Sequence, residues 1–163
     1  MGTLAYYLVL PFLYGISLLP FPLLYLLSDG VFVLLFHVIR YRRDVVRTNL
    51  RNSFPEKSAA ELARIEHAFY RWFCDLTLET VKTLTISTKA VMGHVHVEGE
   101  QVLRKYHEQG RSIVLVMGHW GNWELAGARF SQLGLHHLNV IYHPLHSKKF
   151  NALIKHMRTR LGN

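Results

Sequence analysis

Two residues carry the clearest chemical possibility in the chain. His119 and Glu124 sit five positions apart in VMGHWGNWE, immediately after an apolar run. An imidazole whose one ring nitrogen is held by a carboxylate keeps the other nitrogen free to take a proton, so the pair has the makings of a general base near neutral pH. On one regular helix, residues five apart are separated by about 500°, or about 140° around the axis, and their side chains would not meet. The chain must bend between them. Gly118 and Gly121 permit a bend, Asn122 can cap a helix, and Glu124 then falls in the first turn, where the helix dipole favours a carboxylate. The same residues also fit a plain strand-to-helix connection with Trp120 and Trp123 as core aromatics, and spacing alone leaves both readings open.

The elements around the pair read as follows. Residues 112–117 (SIVLVM) form a continuous apolar, β-branched run that predicts a strand buried on both faces. A helix from Asn122 to about Leu133 ends at Gly134, and residues 138–142 predict a second short strand, completing a right-handed βαβ unit. In such a sheet, sites gather beyond the carboxyl ends of strands, where GHWGNWE would stand. Upstream, Ser58-Ala59-Ala60-Glu61 reads as a capping box opening an amphipathic helix to about residue 86. His94 to Val97 alternates like a strand, a helix runs from about Glu100 to Gln109, and a last helix spans Lys148 to Arg160. The predicted fold class is α/β.

The first 39 residues differ from the rest. Asp29 is their only formal charge, and residues 4–27 are uncharged, long enough to cross a bilayer as a helix. Pro11, Pro20 and Pro22 argue against one straight helix and for a kinked span or a helical hairpin turning near LLPFP and lying partly within one leaflet. The n-region has no positive charge, which does not fit a secretory signal peptide. Arg40, Arg42, Arg43, Arg47 and Arg51 follow with only Asp44 among them, placing this end on the cytoplasmic side. Residues 1–39 therefore read as a membrane-associated segment and residues 40–163 as part of an α/β domain. From residue 125 onward there is no Asp or Glu, against Arg129, Lys148, Lys149, Lys155, Arg158 and Arg160, a charge pattern suited to phosphates, anionic lipid or an acidic protein.

Taken in order, the N-terminal apolar segment, YRRDVVRTNLRNSFPEKS, the run into MGHWGNWE, VIYHPL and the helix ending MRTRLG resemble the bacterial lipid A biosynthesis acyltransferases, the late lauroyl and myristoyl transferases related to the glycerolipid acyltransferases. The resemblance implies an α/β domain of glycerolipid-acyltransferase type at the cytoplasmic face of the bacterial inner membrane. It implies transfer of a fatty acyl group from an acyl carrier protein thioester to a hydroxyl of a lipid A precursor, with no cofactor and no covalent acyl-enzyme. His119 matches the base of the family's H-x4-D/E motif and Glu124 the acid that orients it. Candidate substrate-binding residues are Gly118, Gly121 and Asn122 in the turn, with Arg129, His143, Arg158 and Arg160 among the later basic groups. His143 stands where many relatives carry arginine, in a Y-R-P segment. Members of the family run considerably longer, so the chain reads as an N-terminal part whose domain is incomplete, and its activity as an open matter. A lysophospholipid or an aminolipid is the alternative acceptor.

Other classes fare worse. The 11 histidines include His94-x-His96, His136-His137 and His143-x-x-His146, but they fall on different predicted elements, and no metal site is expected. The net charge of +8 would permit nucleic-acid binding, yet no binding motif occurs, and arginines after an apolar segment follow from topology. There is no G-x-S-x-G elbow of a serine hydrolase. Cys74 is the single cysteine and reads as a buried thiol.

Overall fold

In the computed structural model, residues 3–118 and 120–162 are described, and among them every regular element is a helix. These are α1 (Thr3–Leu18), α2 (Phe21–Val33) continued by a π-helical stretch (Leu34–Ile39), α3 (Arg43–Ser53), α4 (Ala59–Lys82), α5 (Thr88–His94), α6 (Glu100–Glu108), α7 (Trp123–Ser131) and α8 (Lys148–Arg160). The chain divides into two compact units, Leu19–Glu79 and a second formed by Met1–Leu18 with Thr80–Asn163.

The α/β expectation is overturned. Residues 112–117 and 138–142 form no regular element and enter no ladder, and the expected strand at His94 to Val97 is instead the end of α5 followed by chain without regular structure. A strand is defined by its neighbour. Apolar, β-branched composition says which surface a segment needs to bury, and leaves open whether a pairing edge is present to receive it. Here none pairs with either run among the described residues, and Val114 and Val116 stand 90% and 86% exposed. The fold is all-helical.

In the Leu19–Glu79 unit, the apolar run breaks from α1 at Leu19 and Pro20, and α2 starts with Pro22 inside its first two positions, where a missing N–H costs nothing. Leu24, Ser28, Phe32 and Phe36, four apart, form its buried spine. Phe32 and Phe36 join Tyr70 and Cys74 of α4 in one core cluster, with the His67 ring edge-on to both phenylalanines at 4.9 and 5.4 Å. Each fully buried aromatic here contributes about 2 kcal/mol. Arg40 and Arg42 adopt left-handed backbone (φ 55° and 53°) on either side of Tyr41, whose carbonyl accepts the Tyr70 hydroxyl. That tight corner turns the chain into α3. There Arg43 and Arg47 reach Glu66 of α4 at 2.8 and 3.1 Å, and Arg43 also lies 4.3 Å over the Phe36 ring. The capping box at the start of α4 forms as its sequence predicts, with Ser58 Oγ and N each donating to Glu61 at 2.7 and 2.9 Å.

In the other unit, α1 packs on α8 through Leu153 and Met157 together with Leu84, against Tyr6, Leu10, Leu13 and Tyr14. Tyr6 meets Phe150 edge-on at 5.2 Å, and the Lys149 ammonium lies 4.2 Å over Tyr7. The last carbonyl groups of α1 are not wasted: Ser17 O accepts from Lys82 Nζ at 2.8 Å and from Thr85 Oγ1 at 2.6 Å. Desolvation there lowers the Lys82 pKa. α5 packs against α7, which brings the site's own helix into the same body as α8.

Candidate functional site

The bend demanded by the His119 and Glu124 spacing is present. Gly121 takes a left-handed conformation (φ 70°), which an L side chain rarely adopts, and Asn122 follows as the N-cap of α7, its Oδ1 accepting the Leu125 N–H at 3.0 Å. Glu124 thereby occupies the first turn of α7. His119 lies outside the described residues.

Glu124 is held from across the unit by α8. Arg158 donates from Nε to Oε2 at 3.0 Å and from a terminal nitrogen to Oε1 at 2.6 Å, a bidentate fork between two largely buried side chains. The hydrogen bond to Glu124 raises the Arg158 pKa, outweighing the effect of desolvation. The same guanidinium lies 5.1 Å over the Tyr142 ring. A carboxylate offers about four acceptor directions, so the fork leaves about two for further donors.

Glu124 and Arg158 line a cleft of about 730 Å³, whose walls include Leu115, Met117, Trp123, Phe130 and Val140. Residues 112–115, Met117 and residues 138–141 thus border a common space, largely apolar but lined as well by Ser112, His136, His137 and Asn139 beside the ion pair. A cavity of that size and lining suits an extended hydrocarbon group with one polar end.

The other residues selected from sequence are placed as follows. A Cβ on Gly118 would meet nothing within 4 Å, so open space adjoins that backbone. Arg129 Nε donates to the Val95 carbonyl at 3.2 Å, satisfying chain beyond the end of α5. Arg160 donates to the carbonyls of Thr83 and Ile86 at 2.8 and 2.7 Å, fastening the end of α8 to the turn after α4. His143 is exposed, with Nδ1 3.0 Å from the Pro144 carbonyl oxygen. The structure therefore brings together Glu124 and Arg158 and leaves Arg129 and Arg160 bonded to backbone elsewhere. What sequence reasoning missed is the pairing itself: Glu124 and Arg158 are 34 positions apart, and nothing local couples them. Nothing local couples Tyr142 to Arg158 either.

Among the described residues, no group of three or more His, Cys, Asp or Glu is arranged to hold a metal ion; the His107 and His136 rings meet edge-on at 5.3 Å without further ligands gathering around them. No curated protein and no solved structure matches the chain. A family model does, that of the bacterial lipid A biosynthesis acyltransferases, and it aligns with residues 2–163, so that the turn, the cleft and the helices holding Glu124 all fall inside the match. The chain belongs to the bacterial lipid A biosynthesis acyltransferase family.

Proposed function

We propose that this acyltransferase moves a fatty acyl group from an acyl carrier protein thioester to a hydroxyl of a lipid A precursor, working in association with the cytoplasmic face of the bacterial inner membrane. His119 is the general base and Glu124 orients it. The observation that carries the reading is the family match over residues 2–163, which includes the His119 to Glu124 motif. The placement of Glu124 at the mouth of α7, lining an apolar cleft, supports it.

In the proposed reaction, His119 takes the proton of the acceptor hydroxyl as its oxygen attacks the thioester carbonyl. The resulting oxyanion draws on backbone N–H groups of the turn from Gly118 to Asn122. The C–S bond then breaks, and the imidazolium returns its proton to the departing thiolate, so that ester and free carrier thiol leave with the enzyme unchanged. Glu124 stabilises the imidazolium without taking the proton itself. Arg158 keeps the Glu124 carboxylate in one orientation through its bidentate contact.

The test supplies acyl carrier protein loaded with a series of acyl chains and compares lipid A precursor, lysophospholipid and aminolipid as acceptors. His119→Ala is expected to lower kcat by about 10²–10⁴-fold, the usual worth of a positioned base. Full activity in that variant would remove His119 from the mechanism, and turnover on lysophospholipid alone would replace the acceptor.

A further inference from the structure

We propose that the apolar helical run Phe21–Ile39 lies flat in one anionic leaflet rather than crossing the bilayer, with α4 on its water side. The inference rests on the membrane association proposed above and specifies its geometry.

By length and composition the run could span. It has 19 residues at a mean hydropathy of 1.9, and at about 1.5 Å per residue it approaches the thickness of a hydrocarbon core. Its packing points the other way. α4 runs antiparallel beside it from Tyr25 to Phe36: Tyr25 Oη donates to Glu79 at 2.8 Å, Asp29 pairs with Arg71 at 2.5 Å, Phe32 and Phe36 meet His67, and Arg43, just past the run, reaches Glu66. A bilayer crossed by the run would have to accommodate that stretch of α4 as well. α4 carries Glu66, His67, Arg71, Asp75 and Glu79 there, a charged or titratable group at almost every turn. The Asp29–Arg71 pair would fall near the middle of the membrane with its side chains 57% and 53% exposed, facing hydrocarbon instead of a protein interior. Charges at that depth are tolerated when they are turned inward or toward water, and these are not.

A flat placement leaves the charged groups of α4 in water. Opposite the buried spine, Leu23, Leu26, Val33, Leu34 and Val38 are exposed along one side of the run, an apolar strip bordered near its C-terminal end by the exposed His37. Asp29 and Arg71 lie on the flank, within reach of the aqueous boundary. At the C-terminal end of the run Arg40, Arg42 and Arg51 are exposed, with Asp44 the single acid in that stretch, while Arg47 is held by Glu66. That cluster selects the occupant. A second copy of the chain would present the same positive charge, whereas an anionic leaflet supplies opposite charge together with apolar depth.

The experiment uses the full chain with vesicles of phosphatidylcholine and phosphatidylglycerol. Leu23→Cys, Val33→Cys and Val38→Cys, each made with Cys74→Ala, are labelled with a fluorophore, and depth is read by quenching with lipids brominated at graded positions. Arg64→Cys on α4 is the aqueous control. The expected result is one shallow depth for all three labels, an aqueous Arg64→Cys label, and binding lost on phosphatidylcholine alone. A depth that rises to the bilayer centre at Val33→Cys and falls again at Val38→Cys, or equal binding to neutral vesicles, would overturn the proposal. Failure to float with any vesicle would overturn membrane association itself, a separate result. Circular dichroism confirms that each variant keeps its helices, and Leu26→Cys replaces any that does not.

Discussion

At the scale of single residues, two ion pairs hold carboxylates for different ends. The Glu124 side chain is only 12% exposed, and both of its oxygens accept from Arg158. Arg158→Ala would leave that carboxylate desolvated without its fork, a loss of about 1–3 kcal/mol in urea unfolding. Arg158→Lys keeps the charge but not the bidentate geometry, so kcat should fall with KM little changed. An Arg158→Ala protein with unaltered stability and kcat would show the pair to be idle. Glu66 is 4% exposed and answers to Arg43 and Arg47. Burial raises its pKa, but the hydrogen bonds from the two arginines more than offset this, and the group titrates below its ordinary value. Its unfolded value is about 4.3. The stabilisation is therefore complete above that pH and disappears as pH falls through the lower folded value. Glu66→Gln should lower stability by about 1–3 kcal/mol at pH 7 and flatten the dependence of the urea midpoint between pH 5 and acid.

Among elements, legibility tracked how local the determining signal is. The capping box at Ser58, the N-cap at Asn122 and the extent of the last helix each depend on residues within one or two turns, and α4, α7 and α8 begin where those signals stand. The strands depended on partners elsewhere, which residues 112–117 and 138–142 could not announce, and they remain unpaired. α3 was read only as a basic stretch, because its helical register becomes meaningful once Glu66 is beside it. The same contrast separates the site's parts: the turn at Gly121 was written locally, while the Arg158 contact was not. Since α7 begins at the Asn122 cap, Asn122→Ala should cost about 1 kcal/mol in stability, whereas Asn122→Asp, which keeps an acceptor oxygen, should cost little. Fraying of the first turn would also loosen Glu124. Thermal unfolding and kcat measured on both variants should move together; a stable Asn122→Ala enzyme with normal kcat would separate the cap from the site.

For the whole molecule, the uneven charge has to be divided before it can be interpreted. The acid-free stretch from residue 125 onward contains six Lys and Arg residues, and composition alone assigns all of them to an acidic partner or phosphate. The structure divides them. Arg129 and Arg160 bond backbone carbonyls, Arg158 holds Glu124, and Lys149 lies over Tyr7, so these four join helices within the unit. Lys148 and Lys155 are exposed on α8. If acyl carrier protein is the donor, its acidic surface has these two lysines to meet, and such contacts act at long range on encounter more than on chemistry. Lys155→Glu should then raise KM for the loaded carrier protein several-fold at low salt, with kcat unchanged and the difference shrinking as ionic strength rises. Arg160→Ala provides the contrast, because loss of its bonds to Thr83 and Ile86 should appear in unfolding rather than in a salt-dependent KM. A salt-independent effect of Lys155→Glu, or one confined to kcat, would place carrier recognition on another surface of the chain.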